Sequence, residues 1–229
     1  MKKFLISLTL LGGLSLPSIA DDYWVTQLRA APGKFPALLE LIKKTDWKAI
    51  DGSTPIMMRH SQGNHWDVML LGKHRENCST ACIEATATFE KQVRDLADSE
   101  VSFLATSETN WSDLQKEAAG KGLYHIEMFN AAAGKHEALL RQRKIENKYL
   151  GLTGQVENAI FQVTFGTDVD IFTIGFHNSL SSFAAGGPES PEAGEKAAVE
   201  AGFKNRADIS FHLRELIVSH HDTLAGPVK

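Results

Sequence analysis

Four residues combine reactive side chains with spacing that would bring them together. His125 and Glu127 lie two apart, and so do His212 and Arg214. In an extended strand alternate side chains share one face, so each pair presents its polar groups on the same side. If the two strands are neighbours, two imidazoles, a carboxylate and a guanidinium converge. Such a set can relay protons, bind an anionic substrate or hold a metal. Tyr124, Ile126 and Met128 make the opposite face of the first strand apolar, as Ile209, Phe211 and Leu213 do for the second. The spacing predicts that the apolar faces pack under helices and the polar four point into one cavity. The competing reading leaves them in solvent or around an inert wet cavity.

The remaining reactive residues carry less. Cys78 and Cys82 are four apart in Asn-Cys-Ser-Thr-Ala-Cys. One helical turn places their Cα atoms ~6 Å apart, within disulfide range, so a bridge is predicted; a CxxC redox motif is absent. His74 and His177 each follow a glycine at a strand end, which reads as a shared turn or capping role rather than a metal pair. His220-His221 reads as part of an exposed C-terminal tail. No HExxH or other paired-ligand spacing occurs, so no metal site is assigned. CxxCH is absent, which excludes covalent c-type haem; haem held without covalent attachment stays open, and no other cofactor is called for. GxSxG and a phosphate-binding glycine loop are also missing. Ala184 to Gly194 has the composition of a flexible connector.

The elements that must position these residues are legible because the chain repeats itself. Tyr23 to Leu39 aligns with Tyr124 to Leu140 with eight of 17 positions identical, including Ala30-Ala31, Gly33-Lys34 and Ala37-Leu38-Leu39. Gly63, Asp67, Gly72 and His74 recur as Gly166, Asp170, Gly175 and His177, and Val101-Ser-Phe103 as Ile209-Ser-Phe211. A tandem duplication is expected, with residues 21–112 as the first repeat, 113–122 as a linker and 123–229 as the second. Each repeat reads as strand, helix, two strands joined by a tight Gly/Asn or Gly/Asp connection, helix, strand. The strands are expected over 23–29, 56–60, 66–73 and 101–108, then over 124–129, 159–165, 169–176 and 208–218. The fold class is thus α+β, each β-α-β-β-α-β unit laying two helices on one face of a four-stranded antiparallel sheet. The bare faces are too apolar for water and are expected to cover each other.

A strand ending in Ala-Ala-x-Gly-Lys, a helix with Ala-Leu-Leu and a β-hairpin resemble the dimeric α/β-barrel superfamily, including NIPSNAP-, EthD- and antibiotic-biosynthesis-monooxygenase-type proteins. The resemblance spans the chain after residue 20 as a fused pair. It implies two ferredoxin-like halves packed sheet to sheet as a fused barrel with an internal pocket. The activities it implies range from oxygenation and isomerisation to haem chemistry and simple binding, so fold alone assigns no reaction.

Met1 to Ala20 has a Lys2-Lys3 start, an apolar run from Phe4 to Leu14 and a small-x-small end at Ser18 and Ala20. This predicts a bacterial secretory signal peptide, cut after Ala20, and a periplasmic or secreted protein. The apolar run is shorter than the ~20 residues needed to span a bilayer, so no membrane span is expected. The 229 residues are 43% hydrophobic and 23% charged, with a formal charge of −4, ordinary for a globular protein. No basic stripe points to nucleic acid. The reading that follows is an exported protein, monomer or homodimer, that binds a small apolar or aromatic molecule. The alternatives are a cofactor-free oxygenase or isomerase using His125, Glu127 and His212, and a non-enzymatic interaction protein with a filled barrel. Cavity volume separates them.

Overall fold

The computed structural model describes residues 20–229. Nearly all of the segment read as a signal peptide therefore lies outside the described residues. The first half runs β1 (Asp21–Ala30), α1 (Phe35–Lys44), α2 (Trp47–Asp51), β2 (Ile56–Gln62), β3 (Val68–Lys73), α3 (Thr80–Arg94) and β4 (Ala97–Ser107). Helix α4 (Trp111–Ala118) follows, and then β5 (Leu123–Ala131), α5 (His136–Leu152), β6 (Ala159–Phe165), β7 (Ile171–His177), α6 (Leu180–Ala184), α7 (Pro191–Ala201), α8 (Asp208–Arg214) and β8 (Ile217–Pro227). All strand pairs are antiparallel. Their order is β1-β3-β2-β8-β5-β7-β6-β4, and β4 pairs back onto β1, so the eight strands close on themselves.

The repeated sequence has a local physical purpose. After β1 and β5 the chain turns at Gly33 and Gly134, both with positive φ of 76° and 72°, where a Cβ would be strained. The turns are held alike. Ala30 N–H donates to the Asp67 carboxylate at 2.8 Å, and Ala131 N–H to Asp170 at 2.7 Å. Ala31 N–H bonds the carbonyl of Leu96, and Ala132 N–H that of Leu216. Pro36 sits in the first turn of α1, where its missing N–H is an orphan donor in any case.

Side-chain alternation divides the strands into two environments. Tyr23, Val25, Met58, Met69, Leu71, Phe103, Tyr124, Ile126, Met128, Phe161, Phe172 and Ile174 form one cluster inside the ring of strands. Phe161 and Phe172 stack there with centroids 4.4 Å apart. The interior is packed, so the internal pocket implied by the family resemblance is filled with side chains. The other strand faces pack under helices, with Leu28, Val68 and Leu70 meeting Leu38, Ile42 and Val93 in the first half. In the second half Phe129 and Ile171 meet Leu139.

The 113–122 segment expected as a linker carries most of helix α4: the Asn110 side chain caps it, accepting from Asp113 N–H, and Trp111 and Leu114 are buried. One expectation is corrected. The supposed last strand 208–218 is mostly helix α8. Asp208 to Arg214 alternates apolar and polar residues, but Ile209 and Leu213 also fit a helical i,i+4 stripe, and both pack inward. Asp208 in the first turn and His212 and Arg214 in the last match the helix dipole. The actual last strand lies further on, at Ile217–Pro227.

Candidate functional site

The structure places His125 and Glu127 together on β5 but separates them from His212 and Arg214. Those two ride on α8; His212 lies 3.9 Å from Glu215, and Arg214 is exposed. The strand beside β5 is β8, which sets Asp222 opposite Glu127 and Leu224 opposite His125. The predicted orientation is also reversed. Tyr124, Ile126 and Met128 fill the barrel, while His125 and Glu127 face the helix layer. The physical reason is enclosure: the ring of strands is filled by apolar side chains, so the fully apolar face of β5 goes inside. The layer under the helices is open at its rim and tolerates charge.

A cavity of about 230 Å³ lies there, lined by His125, Glu127, Glu146, His177 and Phe183 among others. Glu127 accepts a hydrogen bond from Thr173 Oγ1 at 3.0 Å and lies 3.6 Å from the Arg143 guanidinium. Arg143 is only 2% exposed; it also pairs with Glu146, donates to Gln142 at 2.7 Å and lies over the Phe129 ring. His125 Nε2 stands 3.7 Å from Asp222, and His220 stands 3.4 Å from the other Asp222 oxygen. Phe183 of α6 packs against both His125 and His177, with ring centroids 4.9 Å away in each case.

The electrostatics follow from this crowding. Burial alone would lower the His125 pKa, but Asp222, Glu127 and Glu146 together raise it above 6.5. Asp222 is held below its usual value chiefly by His125. Burial pushes Glu146 up despite Arg143, with the Glu127 charge adding to the rise. Burial lowers His177, and the charges of His125 and Lys121 lower it further. One donor atom each from His125, Glu127 and Asp222 lie within 4.8 Å of one another, so these three could hold a divalent cation. Spacing could not reveal this set, because Asp222 is distant in sequence and joins through strand pairing alone.

His74 and His177 each line a cavity, and their backbones also tie the strand ends, His74 N–H donating to the Asp22 carbonyl and Gly122 N–H to that of His177. The glycines before them make room. A Cβ on Gly72 would lie 2.4 Å from the Trp24 indole, and one on Gly175 2.6 Å from the Asn158 side chain and 2.9 Å from His177. His220 and His221 are exposed as expected, but in strand β8 rather than a tail.

Sequence reasoning missed a second cavity, of about 330 Å³, on the helix side of the first half. Trp24, Trp47, Leu70 and Phe89 line it, together with Ile50, Asp51 and Ser102. Helix α2 builds one wall. Asp46 caps its start by accepting from Ala49 N–H, and Gly52 ends it in a left-handed conformation, a D-x5-G signal that the sequence does contain. Trp24 and Trp47 stack at 6.3 Å, and Phe89 meets Trp47 edge-on at 5.0 Å. Cys78 and Cys82 are bridged, with Cα atoms 5.5 Å apart, and both border the cavity at the start of α3. Asp51 is 8% exposed and its Oδ2 has no hydrogen-bond partner among the described residues. Burial raises its pKa to about 6, with the Trp24 indole, Arg75 and His74 offsetting part of the rise.

These features define a ferredoxin-like α+β fold with an eight-stranded antiparallel sheet and candidate sites on its outer faces. Solved structures share that fold. An anthrone oxidase-like protein superposes with a TM-score of 0.57 at 11% identity, covering 92% of each chain. A candidate monooxygenase from Lactobacillus acidophilus NCFM gives 0.54 at 7% identity, covering 92% of this chain and 95% of its own. A variant chlorite dismutase from Candidatus Nitrospira defluvii gives 0.50 at 11% identity, covering 92% and 93%. No family model and no curated protein matches the chain. Among the described residues no helix is long and apolar enough to cross a membrane.

Proposed function

We propose that this is an exported small-molecule-binding protein, and that the first-half cavity holds a small, largely apolar or aromatic ligand. The observation that carries the reading is the cavity of about 330 Å³ walled by Trp24, Trp47, Leu70 and Phe89. Its size and lining are those of a ligand site, in a molecule whose central barrel is already filled. The Lys2-Lys3 start, the apolar run and the Ser18-x-Ala20 end support export, as does the Cys78–Cys82 bridge. We also propose that the chain arose by tandem duplication and is kin to NIPSNAP- and EthD-type proteins. The shared Ala-Ala-x-Gly-Lys turns and their equivalent Asp67 and Asp170 bonds support this.

The test is native mass spectrometry of protein released from a bacterial periplasm, with ligand-observed NMR using 2-phenylethanol. We expect loss of residues 1–20, a bound small molecule and saturable binding of the probe. Thr86→Trp should fill the first-half cavity and abolish binding, while Leu150→Trp in the other cavity should not. Absence of any bound mass together with no probe binding overturns the reading.

A second reading rests on the His125–Asp222 contact, which raises His125 and lowers Asp222. Such a pair suits proton transfer at a carbon or hydroxyl acid, His125 acting as the base or acid and Glu127 as a fixed charge held by Arg143 and Thr173. His212 has no part in it. Haem held without covalent attachment is the cofactor that the sequence leaves open. Three carboxylates, Glu127, Glu146 and Asp222, surround the polar site, and its buried guanidinium is already paired. A cavity of about 230 Å³ with that lining offers a porphyrin little room and its propionates no free cation. No step is therefore assigned to haem.

A further inference from the structure

We infer that the first-half cavity is selective for small organic cations, namely amines carried on an aromatic or compact apolar body. The inference rests on the reading of that cavity as a ligand site and adds the chemical class of its occupant. Its basis is a mismatch within the cavity wall. The lining is dominated by aromatic and aliphatic groups, yet a carboxylate, Asp51, is set into it with one oxygen unpartnered. A buried acceptor left unpaired costs folding free energy, so a group that reappears as part of a cavity wall is best explained by something that enters the cavity and pairs with it.

The charge balance says what that something is. The titratable groups facing the cavity are Asp51 from α2, Glu90 from α3, Glu100 from β4, and His74 and Arg75 beyond β3. Three carboxylates outnumber one guanidinium. The Trp24 indole is the hydrogen-bonding neighbour of the Asp51 carboxylate, Arg75 and His74 reach it only as charges, and its Oδ2 keeps no hydrogen-bond partner among the described residues. An anion would meet net repulsion, and a neutral donor would give Asp51 a hydrogen bond but leave the surplus negative charge unbalanced. An ammonium both pairs with Asp51 and meets the faces of Trp24, Trp47 and Phe89, whose quadrupoles attract cations. The hydroxyls of Thr26 and Ser102, 2.9 Å apart on the same wall, add two neutral acceptors.

The counterpart cavity is a useful control. There the half-buried carboxylate Glu127 is already paired with Arg143 and Thr173, so unlike Asp51 it is not left without a hydrogen-bond partner.

The experiment compares phenethylamine with 2-phenylethanol, matched in shape and differing in charge, by calorimetry on the full mature chain at pH 7.5. We expect the amine to bind at least ten-fold more tightly. Asp51→Asn should remove the amine preference, bringing amine and alcohol to within about two-fold of each other. The amine preference should also shrink as pH falls below 6, where Asp51 takes up a proton. Equal binding of amine and alcohol overturns the inference and leaves the apolar-ligand reading standing. An amine preference that survives Asp51→Asn overturns it as well. If neither probe binds, the ligand-site reading fails and the inference fails with it. Asp51→Asn is isosteric, and a thermal melt of the variant verifies that lost binding is not lost folding.

Discussion

The two halves share a backbone plan and differ where their helices meet the sheet. In strand register Thr26 faces Ser102 on one side of the molecule, and Glu127 faces Asp222 on the other. Trp24 opposes Gly72, and His125 opposes Gly175. On the first helix of each half, Leu38 and Leu139 are both fully buried; four residues on, the first half has Ile42 and the second has Arg143. The same scaffold thus carries an aromatic cavity with one unsatisfied acid and a charged cavity whose acids are mostly paired. The lesson is that the turn chemistry is held fixed while the layer between sheet and helix is free to change its polarity.

The largest expected effect comes from Arg143. Arg143→Ile copies the first-half residue but strands Glu127 and Glu146, and breaking a buried pair from one side typically costs about 3–5 kcal/mol. Urea unfolding should show a loss of that size. Adding Glu127→Thr and Glu146→Thr installs the first-half residues Thr26 and Thr45 beside it and should recover most of the loss. A triple variant as unstable as the single one would mean that the halves are not interchangeable at this layer.

Asp51→Asn should act in the opposite direction. The folded-state pKa of about 6 lies above the ordinary aspartate value of 3.8, so the native state holds the proton more strongly. Wild-type stability therefore falls as pH rises through that window, and the loss persists above it. Asparagine removes the penalty, so the variant should be more stable at pH 7.5 by about 1–3 kcal/mol and equal to wild type near pH 3. Identical curves at both pH values would remove the strained-acid account of the cavity. Asp67→Ala and Asp170→Ala test sameness instead. Each leaves one backbone N–H without its carboxylate, so each should cost about 1–3 kcal/mol, with Asp170→Ala the larger because it also loses the 3.1 Å contact to His136.

The Cys78–Cys82 bridge is a first-half feature with no counterpart. It closes a very short loop, so Cys78→Ser with Cys82→Ser should cost about 2 kcal/mol or less. The melt should fall and the first-half cavity should loosen, while the polar cavity keeps its geometry. Quantitative thiol labelling of unreduced periplasmic protein would show that the bridge is not formed there.

These outcomes bear on what the residues themselves made legible. Local signals worked: Gly33 and Gly134 mark real turns, the hairpin glycines lie between real strands, and the four-residue cysteine spacing gives a real bridge. What failed was ambiguous periodicity. Asp208 to Arg214 fits a strand by alternation and a helix by Ile209 and Leu213, and only packing against α5 and α7 decides. Once that segment became a strand, His212 and Arg214 were drawn beside His125 and Glu127, and the true partner, Asp222, went unseen. Pairing across β5 and β8 is a tertiary fact with no local trace. The face reversal has a similar source, since alternation says which side chains travel together but not which side is enclosed. The aromatic cavity was missed because Trp47, Ile50 and Asp51 lie on a five-residue helix with a cap at each end and no periodicity long enough to notice.

The smallest effect concerns the two histidines that flank Phe183, for which the first half offers Trp24 and His74. His125 is raised above 6.5 because Asp222, Glu127 and Glu146 outweigh its burial, whereas His177 is lowered by burial and by the His125 charge. Ring proton shifts followed by NMR should therefore show His125 titrating above 6.5 and His177 below it. For His125 the sign is that of a group gaining a partner on folding. Its stabilisation is fully present below 6.5 and is lost as pH rises through the higher folded value. Asp222 is more than half exposed, so the gain is screened and should stay small. Asp222→Asn should pull the His125 midpoint down, because one opposing charge is gone and burial remains. It should also raise the His177 midpoint, since a His125 that is less often protonated repels it less. Two imidazoles pushed apart, His125 upward and His177 downward, are the arrangement that divides acid and base roles in a proton-transfer site. If both rings titrate together at 6.5, the polar cavity is a solvated pocket, and the comparison between the halves reduces to the aromatic side alone.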